Sequence, residues 1–281
     1  MISIKNLTVK NKRQLILNNI NYEFDDGKVY GLLGPNGSGK TTLFKAIINV
    51  INYSGEINKE FNANDIGHLI EYPAFYSNIN CLDNLKLHSI YKGKDNVDLR
   101  KYLEMVNLDN AEQKKFKQLS MGMKQRLGIA RSLIGNPKAI ILDEPSNGLD
   151  PIGIKDMREI VSKNVKSENR TTIVSSHILK EIVEFADILL FIKDGRIIAN
   201  IKNNHTDYGL IKTELSQASK WNDSTKYSGN YTILSDASYR YIIGDYQNLK
   251  KQKIDSDIQR LNLEDLYLKI MSINAKEVLL K

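Results

Sequence analysis

The sequence predicts an α/β fold: a mainly parallel sheet with an antiparallel β flank and a helical subdomain, followed by a small C-terminal α+β appendage. Three observations carry this reading. Short apolar runs recur along the chain and alternate with stretches of helical spacing. The first two runs have no helix between them, as in an antiparallel hairpin. After a polar, turn-rich stretch, "KNNHTDYG" at 202–209, the pattern changes to short strands closed by one amphipathic helix.

Taken in order, the strand-like runs are "ISIKNLTV" (2–9), "LILNNINYEF" (15–24), "KVYGLLG" (28–34), "DIGHLI" (65–70), "KAIILD" (138–143), "TTIVSS" (171–176), "DILLFIK" (187–193) and "RIIANI" (196–201). Helical patterns occupy 40–49, 82–91, 98–107, 120–134, 152–165 and 178–186. Strands that alternate with helices argue for a parallel sheet covered on both faces. Beyond the boundary, "YGLIKTEL", "YTILSD" and "YRYIIG" predict strands, and "NLEDLYLKIM" predicts a helix with an Asn cap. The expected division is residues 1–205 as the main domain, with a helical subdomain at about 72–135, and 206–281 as an accessory domain.

Composition narrows the function classes. The chain has 281 residues, enough for a large domain plus a small one, and a net charge of +7. The first 205 residues hold 29 Lys and Arg against 23 Asp and Glu, an excess that suits a phosphate ligand, an anionic membrane surface or nucleic acid. No apolar run approaches the roughly 18 residues of a membrane span, and "MISIKNLTVK" lacks the apolar core of a signal peptide. The single Cys81 has no partner for a disulfide and reads as a buried thiol in a reducing compartment.

The strongest local signal is "GLLGPNGSGKTTLF". Residues Gly34, Pro35, Asn36, Gly37, Ser38, Gly39, Lys40 and Thr41 fit G-x-x-x-x-G-K-[ST], after a buried-type strand and before a helix. That context identifies a P-loop. The glycines let backbone N–H groups approach a polyphosphate, and the helix that begins with Lys40, Thr41 and Thr42 points its positive end at the same anion. Lys40 reaches the terminal phosphates and Thr41 is a Mg²⁺ ligand in such a loop.

Other polar stations stand at strand ends. "AIILDEP" places Asp143 and Glu144 after an apolar strand, where ligands of open α/β sheets bind. Asp143 is expected to serve Mg²⁺, directly or at one remove, and Glu144 to be a general base for water. Taken alone, a strand-end acid pair is more often solvated; beside a phosphate loop it is not. "IVSSHILKE" places His177 at a third strand end, so a contact to the γ-phosphate is expected. In "LSMGMKQRLGIARSL", Ser120 is a helix N-cap followed by Gly122, a second helix start suited to an anion. One nucleotide does not need two such helix ends; two nucleotides shared between two copies do. An ordinary capped helix is the alternative.

The ordered set resembles the ATP-binding subunit of an ABC transporter over about residues 1–205. The matching pieces are "GPNGSGKT", "LSMGM" (Ser120, Met121, Gly122 and Met123), "AIILDE", "SNGLD" ending at Asp150, and His177. "EYPAFY", with Glu71 where most members have Gln, together with "LSMGMKQRLGIARSL", resembles the bacitracin-resistance and lantibiotic-immunity branch. The resemblance implies ATP and Mg²⁺ as ligands, Glu144, His177 and Lys40 as catalytic residues, and a head-to-tail dimer with itself or a homologous ATPase. It also implies an integral membrane permease on another chain, a place at the cytoplasmic face of the membrane, and export of a peptide antibiotic or similar amphiphile. Three departures matter. The aromatic that stacks on adenine falls near Asn11; Met121 and Met123 replace Gly and Gln; Glu71 adds a negative charge. Two other classes stand beside this reading, a soluble superfamily ATPase acting on nucleic acid or translation and a non-hydrolysing nucleotide sensor. The first lacks the tandem domains or coiled-coil insertions such factors carry, and the second is disfavoured by intact Asp143, Glu144 and His177.

Overall fold

A computed structural model describes residues 1–12, 14–166, 169–203, 207–216, 231–251 and 258–280. The chain opens with an antiparallel hairpin, β1 (Ile2–Asn11) and β2 (Gln14–Phe24), then enters β3 (Val29–Leu33), the glycine-rich loop and α1 (Lys40–Ile47). It continues through β4 (Ser54–Lys59) and β5 (Ile66–Leu69). Three helices follow: α2 (Cys81–Tyr91), α3 (Leu99–Met105) and α4 (Met121–Leu133). Next come β6 (Ala139–Asp143), α5 (Pro151–Asn164), β7 (Thr171–Ser176), α6 (Leu179–Val183), β8 (Ile188–Lys193) and β9 (Arg196–Lys202).

Six of these strands form one sheet in the order β5-β6-β7-β3-β8-β9. All neighbours are parallel except β8 and β9, a hairpin through Asp194 and Gly195. Side chains of successive residues go to opposite faces. On β6, Ala139 and Ile141 join the core beneath α1 and the hairpin, while Ile140 and Leu142 join the core that includes α4 and α5. The sheet is thus buried on both faces, which is why its strands read as unbroken apolar runs. The antiparallel flank is three strands wide, β2-β1-β4. The third, "SGEINK", has no apolar alternation to announce it; Ile57 alone packs against the core. The expected helix at 178–186 is shorter, five residues of α6, because Ala186 and Asp187 already turn the chain into β8. Cys81 is buried at the start of α2, and burial pushes its thiol up to about 11.

The C-terminal segment adds β10 (Tyr208–Glu214), β11 (Tyr231–Ser235), β12 (Tyr239–Asp245), α7 (Tyr246–Lys251), β13 (Gln259–Leu261), α8 (Leu263–Ser272) and β14 (Glu277–Leu280). Its strands form a five-stranded antiparallel sheet, β13-β10-β12-β11-β14. The sequence announced β10, β11, β12 and α8; α7, β13 and β14 are too short to stand out. Leu210, Leu234 and Ile243 face the main core, which also takes Leu266 and Ile270 of α8. The alternate residues Ile211, Ile233 and Ile242 form a separate core with Leu249 of α7. Thr232, fully buried, fixes the junction by exchanging hydrogen bonds of 3.0 Å with the backbone N–H and C=O of Asn200 on β9.

Candidate active site

Strand order builds the site. β6, β7 and β3 are neighbours, so their carboxyl ends stand side by side, with Asp143 paired to Ser175 and Leu33 to Ser176 in register. The chain leaves these ends as Glu144, His177 and Gly34. Residues separated by more than 140 positions are brought to one edge by parallel pairing alone.

The phosphate loop wraps the start of α1. Gly34 is buried so tightly that a Cβ there would lie 2.3 Å from the carbonyl oxygen of Ile192. Gly39 caps α1 with φ of +105°, a left-handed conformation that favours glycine, and a Cβ there would meet Leu17 at 2.7 Å. Asn36 and Gly37 form the exposed crest of the loop. The first turn of α1, with Lys40, Thr41 and Thr42, has neither a side-chain cap nor an acid, so its N–H groups face the loop interior. The hydroxyl of Ser38 is buried without a hydrogen-bond partner. This cradle of free donors fits the phosphates of a nucleotide.

Two clusters of charge sit over it. Lys40 is only 5 % exposed; its ammonium donates to the carbonyls of Gly34 (2.8 Å) and Pro35 (3.3 Å) and lies 3.2 Å from Glu144 Oε1. The other carboxylate oxygen of Glu144 lies 3.0 Å from His177 Nδ1. Glu144 therefore bridges the phosphate-loop lysine and the histidine, and with His177 46 % exposed the bridge opens to solvent. Beside it, Thr41 Oγ1 donates to Asp143 Oδ2 at 2.6 Å and Ser175 Oγ donates to Asp143 Oδ1 at 2.6 Å. A hydroxyl and a carboxylate in contact are the hard oxygen donors that Mg²⁺ takes when phosphates supply other ligands. Among the described residues no group of three His, Cys, Asp or Glu could hold a metal alone, so the set fits Mg²⁺ only together with a nucleotide.

Two of the acids singled out from the sequence share a backbone feature. Glu144 and Glu71 have φ of +47° and +57°, and the other described non-glycine residues at positive φ are Asn, Asp or Lys. Such conformations cost energy and concentrate at functional positions. Glu71 is paired with Lys45 on α1 at 2.5 Å, away from Asp143. Asp150 caps α5, accepting from the N–H of Gly153 at 2.8 Å. Ser120 caps α4, accepting from Met123 at 3.3 Å. Met121, 41 % exposed, lies near Gly148, and Gly122 lies near Leu149, so the start of α4 is seated on residues 148–149. Among the described residues no hydrogen bond or ion pair joins residues 120–123 to the phosphate loop of the same chain. Asn11 ends β1 at an exposed hairpin tip, paired with Gln14.

Sequence reading missed the residues that hold these groups. Ser175 holds Asp143 and also accepts from the N–H of Glu144 at 2.9 Å. Ser176 accepts from the N–H of Ile178 at 2.9 Å and donates to the buried Glu181 at 3.1 Å, fixing the backbone on both sides of His177. The signal was present in "SSH", two hydroxyls at the end of an otherwise apolar strand.

A phosphate loop after β3, with a histidine after the adjacent β7 and an acid pair at the end of β6 beyond it, defines a nucleoside-triphosphatase of the P-loop class. Residues 17–147 match the family model described as ABC transporter. The lantibiotic transport ATP-binding protein SrtF of Streptococcus pyogenes is 45 % identical over 205 residues, covering 70 % of this chain and 89 % of that protein. The bacitracin transport ATP-binding protein BcrA of Enterococcus faecalis is 39 % identical over 215 residues, 72 % of this chain and 69 % of that one. An uncharacterized ABC transporter ATP-binding protein of Bacillus subtilis, YcbN, is 34 % identical across 98 % of both chains, so this similarity extends through the C-terminal segment. Among solved structures, a dimeric ATP-binding cassette in a post-hydrolysis state with ADP and phosphate superposes with a TM-score of 0.64 at 25 % identity, covering 73 % of this chain and 99 % of that one. The chain belongs to the ATP-binding subunits of ABC transporters, and it is an ATPase.

Proposed function

We propose that this subunit powers export of a peptide antibiotic or similar amphiphile through an integral membrane permease on another chain. The observation that carries the reading is its similarity to SrtF and BcrA, whose names assign them to lantibiotic and bacitracin transport. Among the described residues no helix is long and apolar enough to cross a membrane, and the proposal places the subunit peripherally on the cytoplasmic face, bound to its permease.

Two ATPase subunits, identical or homologous, pair head to tail in this reading. Residues 34–42 of one hold the triphosphate and Ser120, Met121, Gly122 and Met123 of the other close over it. Dimeric cassettes among the similar structures support the pairing, as does an α4 start turned toward residues 148–149 rather than toward its own phosphate loop. Glu144 accepts the proton of the attacking water, and His177 orients that carboxylate and the γ-phosphate. Lys40 neutralises charge that builds on the phosphoryl oxygens. Thr41 and Asp143 would hold Mg²⁺, which supplies charge neutralisation between the phosphates when bound. Most of the acceleration is then positioning and electrostatics rather than covalent chemistry.

Glu144→Gln is the direct test. Removing a general base lowers turnover by about 10²- to 10⁴-fold, while ATP binding persists. Normal hydrolysis by that variant, measured as phosphate release, would show that the base lies elsewhere. For the transport reading, the subunit is expected to co-purify with a multi-span protein from detergent-solubilised membranes; recovery only with ribosomes or nucleic acid would favour the other class.

A further inference from the structure

The C-terminal segment is bonded to the strand beside the phosphate loop through Lys193. Lys193 ends β8, and its ammonium donates to the backbone carbonyls of Met271 (2.7 Å) and Ile273 (3.1 Å) and to Asn274 Oδ1 (3.3 Å). These acceptors lie at the C-terminal end of α8, where helix carbonyls lack partners and the dipole favours a cation. α8 is itself anchored: Leu266 and Ile270 are fully buried in the main core, and Tyr267 lies against Phe191 of β8 with ring centroids 6.2 Å apart.

The residues flanking Lys193 press on the phosphate loop. The carbonyl of Ile192, immediately before it, occupies the space beside Gly34 that a Cβ would need. Two residues after it, Gly195 donates its N–H to the carbonyl of Ser38 at 3.0 Å and accepts from the N–H of Asn18 at 2.9 Å. Gly195 has φ of +72°, and a Cβ there would lie 2.1 Å from the carbonyl oxygen of Ile16. The β8–β9 turn is therefore wedged between β2 and residues 34–39, and of the two cationic side chains that flank it, Lys193 and Arg196, Lys193 is held by the end of α8.

We propose that Lys193 is a positioning residue for nucleotide binding: clamped to the end of α8, it sets the height of the β8–β9 turn against Gly34 and Ser38, so that the C-terminal segment tunes ATP affinity. The proposal rests on the assignment of residues 34–42 as the nucleotide-binding loop. A tilt of this turn moves the Ser38 carbonyl and the Gly34 backbone together, and with them the donors that receive phosphate. Among the described residues no hydrogen bond or ion pair joins Glu144 or His177 to this turn; Glu144 is linked to Gly34 through Lys40.

The test is equilibrium binding of ATP with Mg²⁺ by the full chain, with steady-state hydrolysis alongside. Lys193→Met is expected to raise the ATP concentration for half-saturation about three- to tenfold, the range for a remote positioning contact, with kcat within about twofold of wild type. Lys193→Arg, which can reach the same carbonyls, is expected to restore most of the affinity. Unchanged affinity in Lys193→Met overturns the proposal, and so does an equal loss in the Met and Arg variants, which would mark Lys193 as merely structural. Should Lys193→Met not fold, Lys193→Gln, which keeps a donor but loses the charge, decides in its place: wild-type affinity there overturns the clamp. Lys40→Ala is the control. If wild type and Lys40→Ala bind ATP alike, the phosphate-loop assignment fails, and not this inference alone.

Discussion

Two sheets meet at β9, and they are held by different physics. In the six-stranded sheet, the functional edge carries polar groups whose partners are specific: Thr41 and Ser175 on Asp143, Lys40 and His177 on Glu144. The five-stranded sheet has specific polar contacts too, such as Tyr241 donating to Asp236, but this one sits at a turn. Its packing rests on alternation, Leu210, Leu234 and Ile243 inward and Ile211, Ile233 and Ile242 outward, with Thr232 a buried polar tie to Asn200. A hydrophobic face tolerates exchange of one aliphatic residue for another of similar volume, whereas a bridging carboxylate tolerates almost none. Damage to the first region is therefore expected to appear in nucleotide binding and turnover, and damage to the second in stability.

The largest expected effect tests the first half of that contrast. Lys40→Ala removes a buried cation with three oxygen partners, and ATP affinity should fall about 100-fold or more while the melting temperature changes little; a stability loss without an affinity loss would reverse the comparison. Next, Ile242→Ala empties part of the outer core of the five-stranded sheet. It should cost about 2 kcal/mol or more of unfolding free energy with ATP affinity unchanged, measured by denaturant titration beside binding. A matched fall in affinity would mean that both faces of that sheet, not only the α8 side, bear on the phosphate loop.

Ser175→Ala leaves Asp143 with one hydroxyl partner instead of two. Turnover should drop about tenfold, with folding kept, as read by phosphate release at saturating ATP. Acid should also separate the regions. His68 and His88 are pushed down to about 4, chiefly by burial and then by the charges of Arg131 and Lys92. Their folded pKa values lie below the unfolded value near 6.5, so unfolded chain takes up protons first. The stability they contribute is complete above pH 6.5 and is lost as pH falls toward 4, on the order of 1 kcal/mol each after allowing for partial exposure. Among its described residues the five-stranded sheet has no shifted histidine: Tyr208 and Tyr241 are pushed up to about 12 by burial, and Asp236 is held below the usual carboxylate value by hydrogen bonds from the N–H groups of Ser238 and Tyr239. His68→Gln should flatten the acid limb of a thermal-stability profile, and an unchanged limb would remove His68 from this account. The smallest effect is expected for Glu71→Gln. It weakens an ion pair whose partners are 32 % and 62 % exposed, so stability should change by about 0.5 kcal/mol or less, and any larger change in turnover would mark Glu71 as a functional contact rather than a surface one.

The active edge was legible because its chemistry is written in contiguous residues. Gly34 to Thr41 must be glycine-rich for the backbone to approach phosphate and must end in Lys and Thr, so spacing alone located the loop, and the apolar runs before Asp143 and His177 marked two further strand ends. The resemblance of the ordered set supplied the roles. What escaped was every group acting through another. Ser175, Ser176 and Glu181 look like ordinary polar residues until register places them under Asp143 and beside His177. β4 escaped because an edge strand with one half-buried apolar residue has no period to read, and β13 and β14 because three or four residues cannot show one.

By itself the sequence announced most of the elements, their order and a candidate phosphate-binding loop, since local periodicity and glycine content depend only on neighbours along the chain. Tertiary structure alone decided that β6, β7 and β3 lie side by side, so that Glu144 meets both Lys40 and His177. It alone decided that Lys193 reaches the end of α8. Those contacts join residues 33 to 104 positions apart in the case of Glu144, and 78 to 81 in the case of Lys193. No local pattern specifies contacts at such separations; sheet order and helix docking do, because they minimise exposed apolar surface over the whole chain at once.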